Sequence, residues 1–342
     1  MKDWIRIIFV LGLMGAGIFF GIGLKEYSGQ IFIYYLSGQG PEKAAVERMA
    51  ELEQEKGKLP PAAGWAVERN LEVCSSGLGV KHKADCMMVY GARELVLPGK
   101  LVEGGYGYFS ERDSCMISRQ LAMELFGAVQ VTGKIVSCGE QEFRIRGVFE
   151  DERPVILIPA SKQDRLDYLL FDYGGDSKKA AGLEQILSAH GISREYVMLD
   201  GSIFWAGAGV FMILPFWFLS LSFACKQIKK RTGEGNCRLF LLLLCVVGIT
   251  AAFGAGLKIL EVKIPDSMIP TRWSEFPFWT GKFTELKDAV TMAGSSPFAL
   301  RGAVMLKKAG ACLIIFLAEV LIKTFYKSSK MEYSFNRKKY TV

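Results

Sequence analysis

Four long apolar segments frame one large polar block along this chain. The segments run over residues 7–24, 203–224, 239–257 and 309–326. A helix of about 20 apolar residues crosses the roughly 30 Å hydrocarbon core of a bilayer. The pattern therefore predicts four membrane-spanning helices, with a domain of ordinary globular composition between the first and the second. Gly17 and Gly21, four positions apart, permit close packing between such helices.

Basic residues cluster at three places that share one side of the membrane if all four segments cross it. The clusters lie at 2–6, 226–238 and 323–339. Because short basic segments stay in the cytoplasm, we expect a multi-pass cell-membrane protein with both termini cytoplasmic and the large domain extracytoplasmic. The net charge of +7 then follows from topology, so membrane lipid is an expected partner and nucleic acid is not.

These two patterns predict a division of the chain. In order, it comprises the N-terminus with the first helix (1–24), the extracytoplasmic domain (25–200), the second helix (203–224), a cytoplasmic loop (225–238), the third helix (239–257), an extracytoplasmic aromatic loop (258–305), the fourth helix (309–326) and a basic cytoplasmic tail (327–342). The first segment has an alternative interpretation as a signal peptide. It is long for one, however, and no Ala-x-Ala cleavage site follows it, so an anchor is favoured.

The spacing of apolar, glycine and proline residues predicts a mixture of helices and strands in the extracytoplasmic domain. Helices, each followed by a glycine, are expected at Pro41–Lys56, Arg119–Phe126 and Ser177–His190. In the first of these, Ala45, Met49 and Leu52 lie along one stripe. Strands are expected at Trp65–Val73, Asp85–Tyr90, Glu94–Leu97, Ser114–Ser118 and Pro154–Pro159, and a hairpin at Gly133–Val136 with Glu142–Phe149.

Several short motifs in this domain occur in a distinctive order. The glycine-rich run from Gly99 to Phe109 precedes a strand, a helix that ends in Leu-Phe-Gly at Gly127, a Gly-Lys turn at Gly133 and a strand that ends in Gly-Val at Val148. This order resembles the extracytoplasmic core domain of MacB-like (FtsX/MacB-type) ABC-transporter permeases. The resemblance implies an α+β fold, in which four transmembrane helices carry a mixed α/β domain between helices 1 and 2.

The same resemblance implies a function. Such a chain is a membrane subunit of an ABC transporter or mechanotransmission system and relays motion between its membrane helices and its outer domain. Its expected partners are a separate ABC ATPase subunit and a second permease copy or paralogue. Two departures, a short cytoplasmic loop and a long outer segment between the third and fourth helices, favour an alternative. In that alternative the chain is a non-transporting sensor or scaffold that binds a partner or an envelope ligand.

The sequence offers little for catalysis. A phosphate-binding loop needs a Ser or Thr after Gly-Lys to bind magnesium, whereas Ile135 follows Gly133-Lys134. The histidines His82 and His190 stand alone in sequence, and His190 is expected to interact with the C-terminal end of its own helix. We therefore expect no enzyme activity, cofactor or metal site, and any ATP hydrolysis would come from another subunit.

Four cysteines in the outer domain leave two possibilities open. Cys74, Cys86, Cys115 and Cys138 would be disulfide-bonded in an oxidising exterior or would remain as buried free thiols. Four cysteines allow three pairings. Of these, we expect the pairing of Cys74 with Cys86 first, because it closes a short loop.

Three further groups are candidate contacts. They are an aromatic cluster, a basic cluster and an intramembrane carboxylate: Trp273, Phe276, Phe278 and Trp279; Lys229, Lys230 and Arg231; and Glu319. The aromatic cluster is expected either at the membrane interface or on a partner. The basic cluster either contacts the ATPase or only keeps its loop in the cytoplasm. A carboxylate in lipid is costly, so we expect Glu319 to face another subunit or water.

Overall fold

The computed structural model describes residues 2–97, 99–107, 111–174, 182–193, 195–231, 236–263, 265, 268–270, 272 and 274–339, without the side chains of 2–11, 229–231, 236–239 and 323–339. The chain forms two compact units. The helical unit comprises Met1–Ser28, Ser202–Pro265 and Met305–Val342, and the sheet unit comprises Gly29–Gly201 and Asp266–Val304.

Helices and strands alternate in the sheet unit, which confirms the predicted mixture. The helices of the chain are α1 (Lys2–Ile22), α2 (Lys43–Glu55), α3 (Arg93–Val96), α4 (Arg119–Phe126), α5 (Leu183–Ala189), α6 (Gly201–Arg231), α7 (Asn236–Ile259), α8 (Phe276–Ser295) and α9 (Leu300–Lys339). The strands are β1 (Gln30–Tyr35), β2 (Ala62–Ser75), β3 (Lys81–Gly91), β4 (Leu101–Gly104), β5 (Ser114–Ser118), β6 (Ile135–Cys138), β7 (Gln141–Phe149), β8 (Val155–Pro159), β9 (Tyr168–Asp172) and β10 (Tyr196–Asp200).

The sheet closes on itself over part of its length. The strand order is β10-β1-β9-β2-β3-β8-β5-β7-β4, and β6 pairs with both β2 and β7. The strands from β2 through β3, β8, β5, β7 and β6 therefore return to β2 as a ring. Closure pairs backbone groups that an open sheet edge would leave exposed. The strands β10, β1 and β9 extend from this ring as an open wing.

Two hydrophobic cores stabilise the sheet unit. One core collects apolar residues of the ring strands together with Leu121, Ala122 and Leu125 of α4. The other packs α2 and α5 against one face of the wing. Every residue of β1 is buried, because successive side chains point to opposite faces and both faces of this strand are covered.

Local signals predicted one helix and one hairpin well. The helix α4 occupies the predicted residues, since the Ser118 hydroxyl accepts a hydrogen bond from the Leu121 amide and Gly127 adopts a left-handed conformation (φ 64°) after the last turn. The strands β6 and β7 form the predicted hairpin, and Gly139 supplies the positive φ of 62° in its turn. The strands β1, β4, β9 and β10 were not predicted.

Two predictions were wrong. Residues Glu94–Leu97 were expected to form a strand, whereas Arg93–Val96 is a helical turn. The chain leaves β3 at Gly91 with a φ of 84°, and so short an apolar run does not distinguish helix from strand. The stripe predicted for α2 is rotated, because Leu52 is 50% exposed and Glu53 is buried instead.

The third predicted helix lies partly outside the described residues. Its described part is α5, in which Leu183 and Leu187 are buried. Ser177 and Ala180 belong to the part of the chain that is not described.

In the helical unit, glycines allow α1 to approach two other helices closely. A methyl group on Gly21 would lie 2.5 Å from the Met212 sulfur of α6, and one on Gly17 would lie 3.5 Å from Ile315 of α9. Among the described residues, Gly201–Ile228 and Phe240–Ile259 form helices long and apolar enough to cross a membrane. They correspond to the second and third predicted segments. The other two crossings remain expectations.

Candidate functional site

Aromatic side chains from three neighbouring strands form a row on one face of the wing. Tyr34 of β1 is paired with Tyr168 of β9, and Tyr168 is paired with Trp65 of β2. The Trp65 and Tyr168 rings stack with centroids 5.3 Å apart, while Tyr34 meets Tyr168 edge-on at 6.0 Å. Both geometries are favourable for aromatic pairs. We call these three residues the aromatic row.

The chain between α8 and α9 lies on this row. We call residues 296–302 the anchor segment. The Trp65 indole Nε1 donates a hydrogen bond to the Phe298 carbonyl oxygen at 3.0 Å. The Tyr168 and Ser296 hydroxyls share a hydrogen bond of 2.6 Å. These two bonds hold the anchor segment to β2 and β9.

Phe298 is the buried centre of the anchor segment, with only 2% of its surface exposed. The guanidinium groups of Arg69 and Arg153 lie 5.7 Å and 5.2 Å from its ring centroid, within the range of cation–π attraction. Arg153 also donates to the Pro297 carbonyl at 2.7 Å. A hydrogen bond to Asp151 raises the pKa of Arg153, so the guanidinium group beside the Phe298 ring stays positively charged.

The first turn of α9 is fitted closely to the sheet unit. Gly302 packs against the Tyr34 hydroxyl, where a Cβ would collide. Arg301 donates to the Glu94 carbonyl at 3.0 Å. Leu300, which is buried, has a φ of 35°, an unfavourable conformation for a bulky residue. The surrounding contacts thus hold the chain in a sharp turn where α9 begins.

A second long helix also starts directly from the wing. Asp200 ends β10 and Gly201 begins α6 with no residue between them. The strand β10 pairs with β1, and α8 packs against both strands. Ala289 and Ala293 of α8 are fully buried, because their small side chains allow a close approach.

Further along α9, Lys308 binds the C-terminal end of α1 within the helical unit. Its ammonium group donates to the Gly23 carbonyl at 3.0 Å and pairs with Glu26 at 2.9 Å. It also lies 5.0 Å from the centre of the Tyr27 ring. A cation at this position satisfies a carbonyl left open at a helix C-terminus. Within the helical unit, α9 is therefore attached to the end of α1.

The cysteines do not meet as the sequence suggested. The register of β2 and β3 sets Cys74 opposite Lys81 and Cys86 opposite Glu68, about 17 Å apart along the strands at 3.4 Å per residue. A disulfide needs Cα atoms within about 7 Å, so the structure does not bring Cys74 and Cys86 together. All four are free thiols.

Three of these thiols share the ring core instead. Cys86, Cys115 and Cys138 belong to one buried cluster. Hydrogen bonding to Cys138 and burial raise the pKa of Cys86, and burial raises the pKa of Cys115. Cys86 and Cys115 are thus held in the protonated form and react slowly, whereas the hydrogen bond with Cys86 lowers the pKa of Cys138.

Glu319 lies inside the helical unit. It is 3% exposed and shares a small cavity with Met14 of α1 and with Phe211 and Pro215 of α6. Proline has no amide hydrogen, so Pro215 cannot donate to the Phe211 carbonyl one turn earlier. The sequence could not show that α1 and α6 surround this carboxyl group.

The predicted aromatic and basic clusters are only partly described. Phe276, Phe278 and Trp279 lie in the first turn of α8, and Trp273 lies outside the described residues. The helix α6 extends through residues 229–231, but the side chains of Lys229, Lys230 and Arg231 lie outside the described part of the chain.

The two histidines are in contact with carboxylates. His190 follows the last residue of α5, and its Nε2 lies 3.2 Å from the Glu53 carboxylate of α2. His82 Nδ1 lies 3.0 Å from Glu124. Among the described residues, no group of three or more His, Cys, Asp and Glu side chains could hold a metal ion.

Sequence reasoning missed the anchor segment. Its visible signal was Ser295-Ser296-Pro297, a turn-forming run between residues that form two helices. Nothing local indicated that Trp65 and Tyr168 would receive it. The arrangement joins the beginnings of two long helices, α6 and α9, to one wing of the sheet.

No protein-family model and no curated protein matches this chain. The periplasmic region of MacB from Actinobacillus actinomycetemcomitans is similar to it, with 13% identity, a TM-score of 0.43, and coverage of 52% of this chain and 91% of that chain. The extracellular domain of the noncanonic ABC-type transporter YknZ from Gram-positive bacteria is also similar, with 14% identity, a TM-score of 0.39, and coverage of 50% and 100%. MacB, whose extracytoplasmic domain the sequence motifs resemble, is thus among these structures.

Proposed function

We propose that this chain is a membrane subunit of a MacB-like ABC transporter or mechanotransmission system. The observation that carries the proposal is the attachment of two long helices to one wing of the sheet. The strand β10 continues directly into α6, and the anchor segment binds the start of α9 to Trp65. The order of motifs between Gly99 and Pro159 adds the sequence resemblance to this geometry.

In the proposed mechanism the wing and the helices move together. A displacement of α6 acts on β10 without an intervening linker, and a displacement of α9 acts on the aromatic row through the anchor segment. The Lys308 contact transfers movement between α9 and the end of α1. The chain crosses the cell membrane four times, with both termini in the cytoplasm and the sheet unit outside.

The energy comes from another subunit in this proposal. A separate ABC ATPase binds on the cytoplasmic side, where Lys229, Lys230 and Arg231 contact it, and a second permease copy or paralogue completes the complex. The chain itself is not an enzyme.

Co-purification tests the coupling to an ATPase. The full chain is isolated from its native host in mild detergent, and bound proteins are identified by mass spectrometry and assayed for ATP hydrolysis. We expect an ABC ATPase in the wild-type sample and a loss of it when Lys229, Lys230 and Arg231 are changed to Ala. The matched control changes Arg337, Lys338 and Lys339 of the basic tail to Ala and retains the ATPase. Equal retention in both variants, or no ATPase in any sample, contradicts the coupling.

One observation favours a second function, that of a non-transporting sensor or scaffold. The helix α6 ends at Arg231 and α7 begins at Asn236, which leaves little chain for the cytoplasmic coupling helix that the resembled permeases carry. In this alternative the sheet unit binds a partner or an envelope ligand, and the anchor segment passes that event to the helices. A chain that co-purifies with an envelope protein and with no ATPase supports it.

A further inference from the structure

The helix α8 changes character along its length. Its C-terminal half packs on the sheet through Ala289 and Ala293, which are fully buried. Its N-terminal half has no buried residue, and Phe276 and Phe283 are 77% and 63% exposed. We call residues 276–284 the aromatic tip. The tip is thus an apolar end of a helix whose other end is fixed to the sheet unit.

Aromatic rings lie on more than one side of the tip. Successive residues of a helix are rotated by about 100°, which places Phe276 and Phe283 on one side and Phe278 away from them. The Trp279 ring lies between, in edge contact with Phe278 at a centroid distance of 5.4 Å. The tip contains Lys282 and no carboxylate, and Lys282 pairs with Glu285 in the next turn at 2.7 Å. The exposed positions of the C-terminal half are mostly polar, as at Lys287, Asp288 and Thr291, with Val290 as an apolar exception at 36% exposure. Polarity therefore changes mainly along the helix axis.

This distribution distinguishes two kinds of partner. A protein groove binds one apolar stripe that runs along a helix, so it would leave Phe278 and the opposite rings in different environments. The boundary between lipid headgroups and acyl chains surrounds an inserted helix end and favours aromatic residues, tryptophan among them. Large exposed apolar groups in a soluble environment are unfavourable and mark interaction sites.

The tip follows a helix of membrane-spanning length in the sequence. The apolar helix α7, which is long enough to cross a bilayer, ends at Ile259, and the tip follows in the same extracytoplasmic segment. We propose that the aromatic tip of α8 inserts into the headgroup region of the outer phospholipid leaflet. A helix that is fixed to the sheet at one end and to lipid at the other would hold the wing at the membrane surface. This inference is independent of an ATPase partner.

Site-specific photocrosslinking tests the proposal with the full chain. The photoreactive amino acid p-benzoyl-phenylalanine replaces Phe276 or Phe283 in separate variants, which are reconstituted in phosphatidylcholine–phosphatidylglycerol nanodiscs and irradiated. An aromatic replacement of an exposed aromatic residue leaves the fold intact. We expect a mass increase of one phospholipid on the peptide that contains the tip.

Two control positions calibrate the yield. Phe240, 63% exposed in the apolar helix α7, serves as the lipid-facing control, and Leu78, 62% exposed in the turn between β2 and β3, serves as the solvent-facing control. Lipid adducts at Phe276 and Phe283 in a yield comparable to that at Phe240, with none at Leu78, support the proposal. It is overturned if Phe240 gives lipid adducts while the tip gives none, or if the tip crosslinks only to a second copy or another protein.

A fluorescence measurement provides an independent readout. Lipids brominated near the headgroup quench tryptophans that lie at the interface. We expect the quenched fraction to fall when Trp279 is changed to Phe, because one interfacial fluorophore is lost. An unchanged quenched fraction contradicts insertion of the tip.

Discussion

The indole nitrogen of Trp65 donates a hydrogen bond to the main-chain carbonyl of Phe298 at 3.0 Å, across 233 positions of sequence. The bond is buried, so water cannot replace it, and it joins a central strand of the sheet to the residue two positions before the last helix. The attachment of α9 to the sheet unit depends on this contact and on the neighbouring bond between Tyr168 and Ser296.

Changing Trp65 to Phe tests the bond without removing the ring. The Phe298 carbonyl would lose its buried donor, at a cost of about 1–3 kcal/mol. We expect faster amide hydrogen exchange in residues 296–302, measured by mass spectrometry, with little change in α4. The matched control changes Trp217 of α6 to Phe, and unchanged exchange in the anchor segment of the Trp65 variant would show that the bond does not hold it.

Changing Gly302 to Ala tests the close fit at the start of α9. The new methyl group would collide with the Tyr34 hydroxyl, and overpacking of this kind costs about 1–3 kcal/mol. We expect a lower thermal unfolding temperature in detergent. Gly310 of the same helix has nothing within 4 Å of an added Cβ, so Gly310→Ala should unfold at or above the wild-type temperature. Equal behaviour of the two variants would contradict the fit.

Changing Phe298 to Ala removes the ring between Arg69 and Arg153. Truncation of a buried phenylalanine costs about 3–5 kcal/mol, and we expect the anchor segment to become sensitive to limited proteolysis. Leu78, exposed in a turn, provides the control variant Leu78→Ala. Retention of protease resistance in Phe298→Ala would mean that the segment is held elsewhere.

Thiol labelling tests the arrangement of the cysteines. We expect a maleimide reagent to modify the partly exposed Cys74 in the native chain before Cys86, Cys115 and Cys138, which are buried and whose surroundings raise the pKa of Cys86 and Cys115. After denaturation without a reductant, all four should react. A failure of Cys74 and Cys86 to react after denaturation would instead indicate a disulfide between them.

The contacts of Glu53 predict that the stability of the folded chain decreases at acid pH. Hydrogen bonds from Lys56 and then His190 lower the pKa of Glu53 from its usual value of 4.5. A carboxyl group with a lowered folded pKa contributes stability above its unfolded pKa, and the contribution is lost as the pH falls through the folded value. We expect Glu53→Gln to lower the unfolding temperature at pH 7 and the difference from wild type to shrink below pH 4.5. The exposed Glu55, changed to Gln, should show no such trend.

Some elements followed from neighbours in sequence. Ser118 and Gly127 delimit α4 because capping depends on residues within one turn, and Gly139 permits the tight turn of the β6–β7 hairpin. The local pattern of apolar residues did not predict which face of α2 is buried. The burial of Glu53 in place of Leu52 depends on His190, a residue of α5 that packs beside α2 only in the folded chain.

The sequence by itself determined the long apolar helices and the mixed helix–strand character of the domain, because both follow from the spacing of apolar residues along a continuous chain. Only the tertiary structure decided the closure of the ring, the separation of Cys74 from Cys86, the position of Glu319 and the position of the anchor segment on the aromatic row. The bond between Trp65 and Phe298 requires β1, β9 and β2 to pair in one register and α8 to pack on the wing. These pairings form between segments far apart in sequence, and local conformational propensities do not specify them.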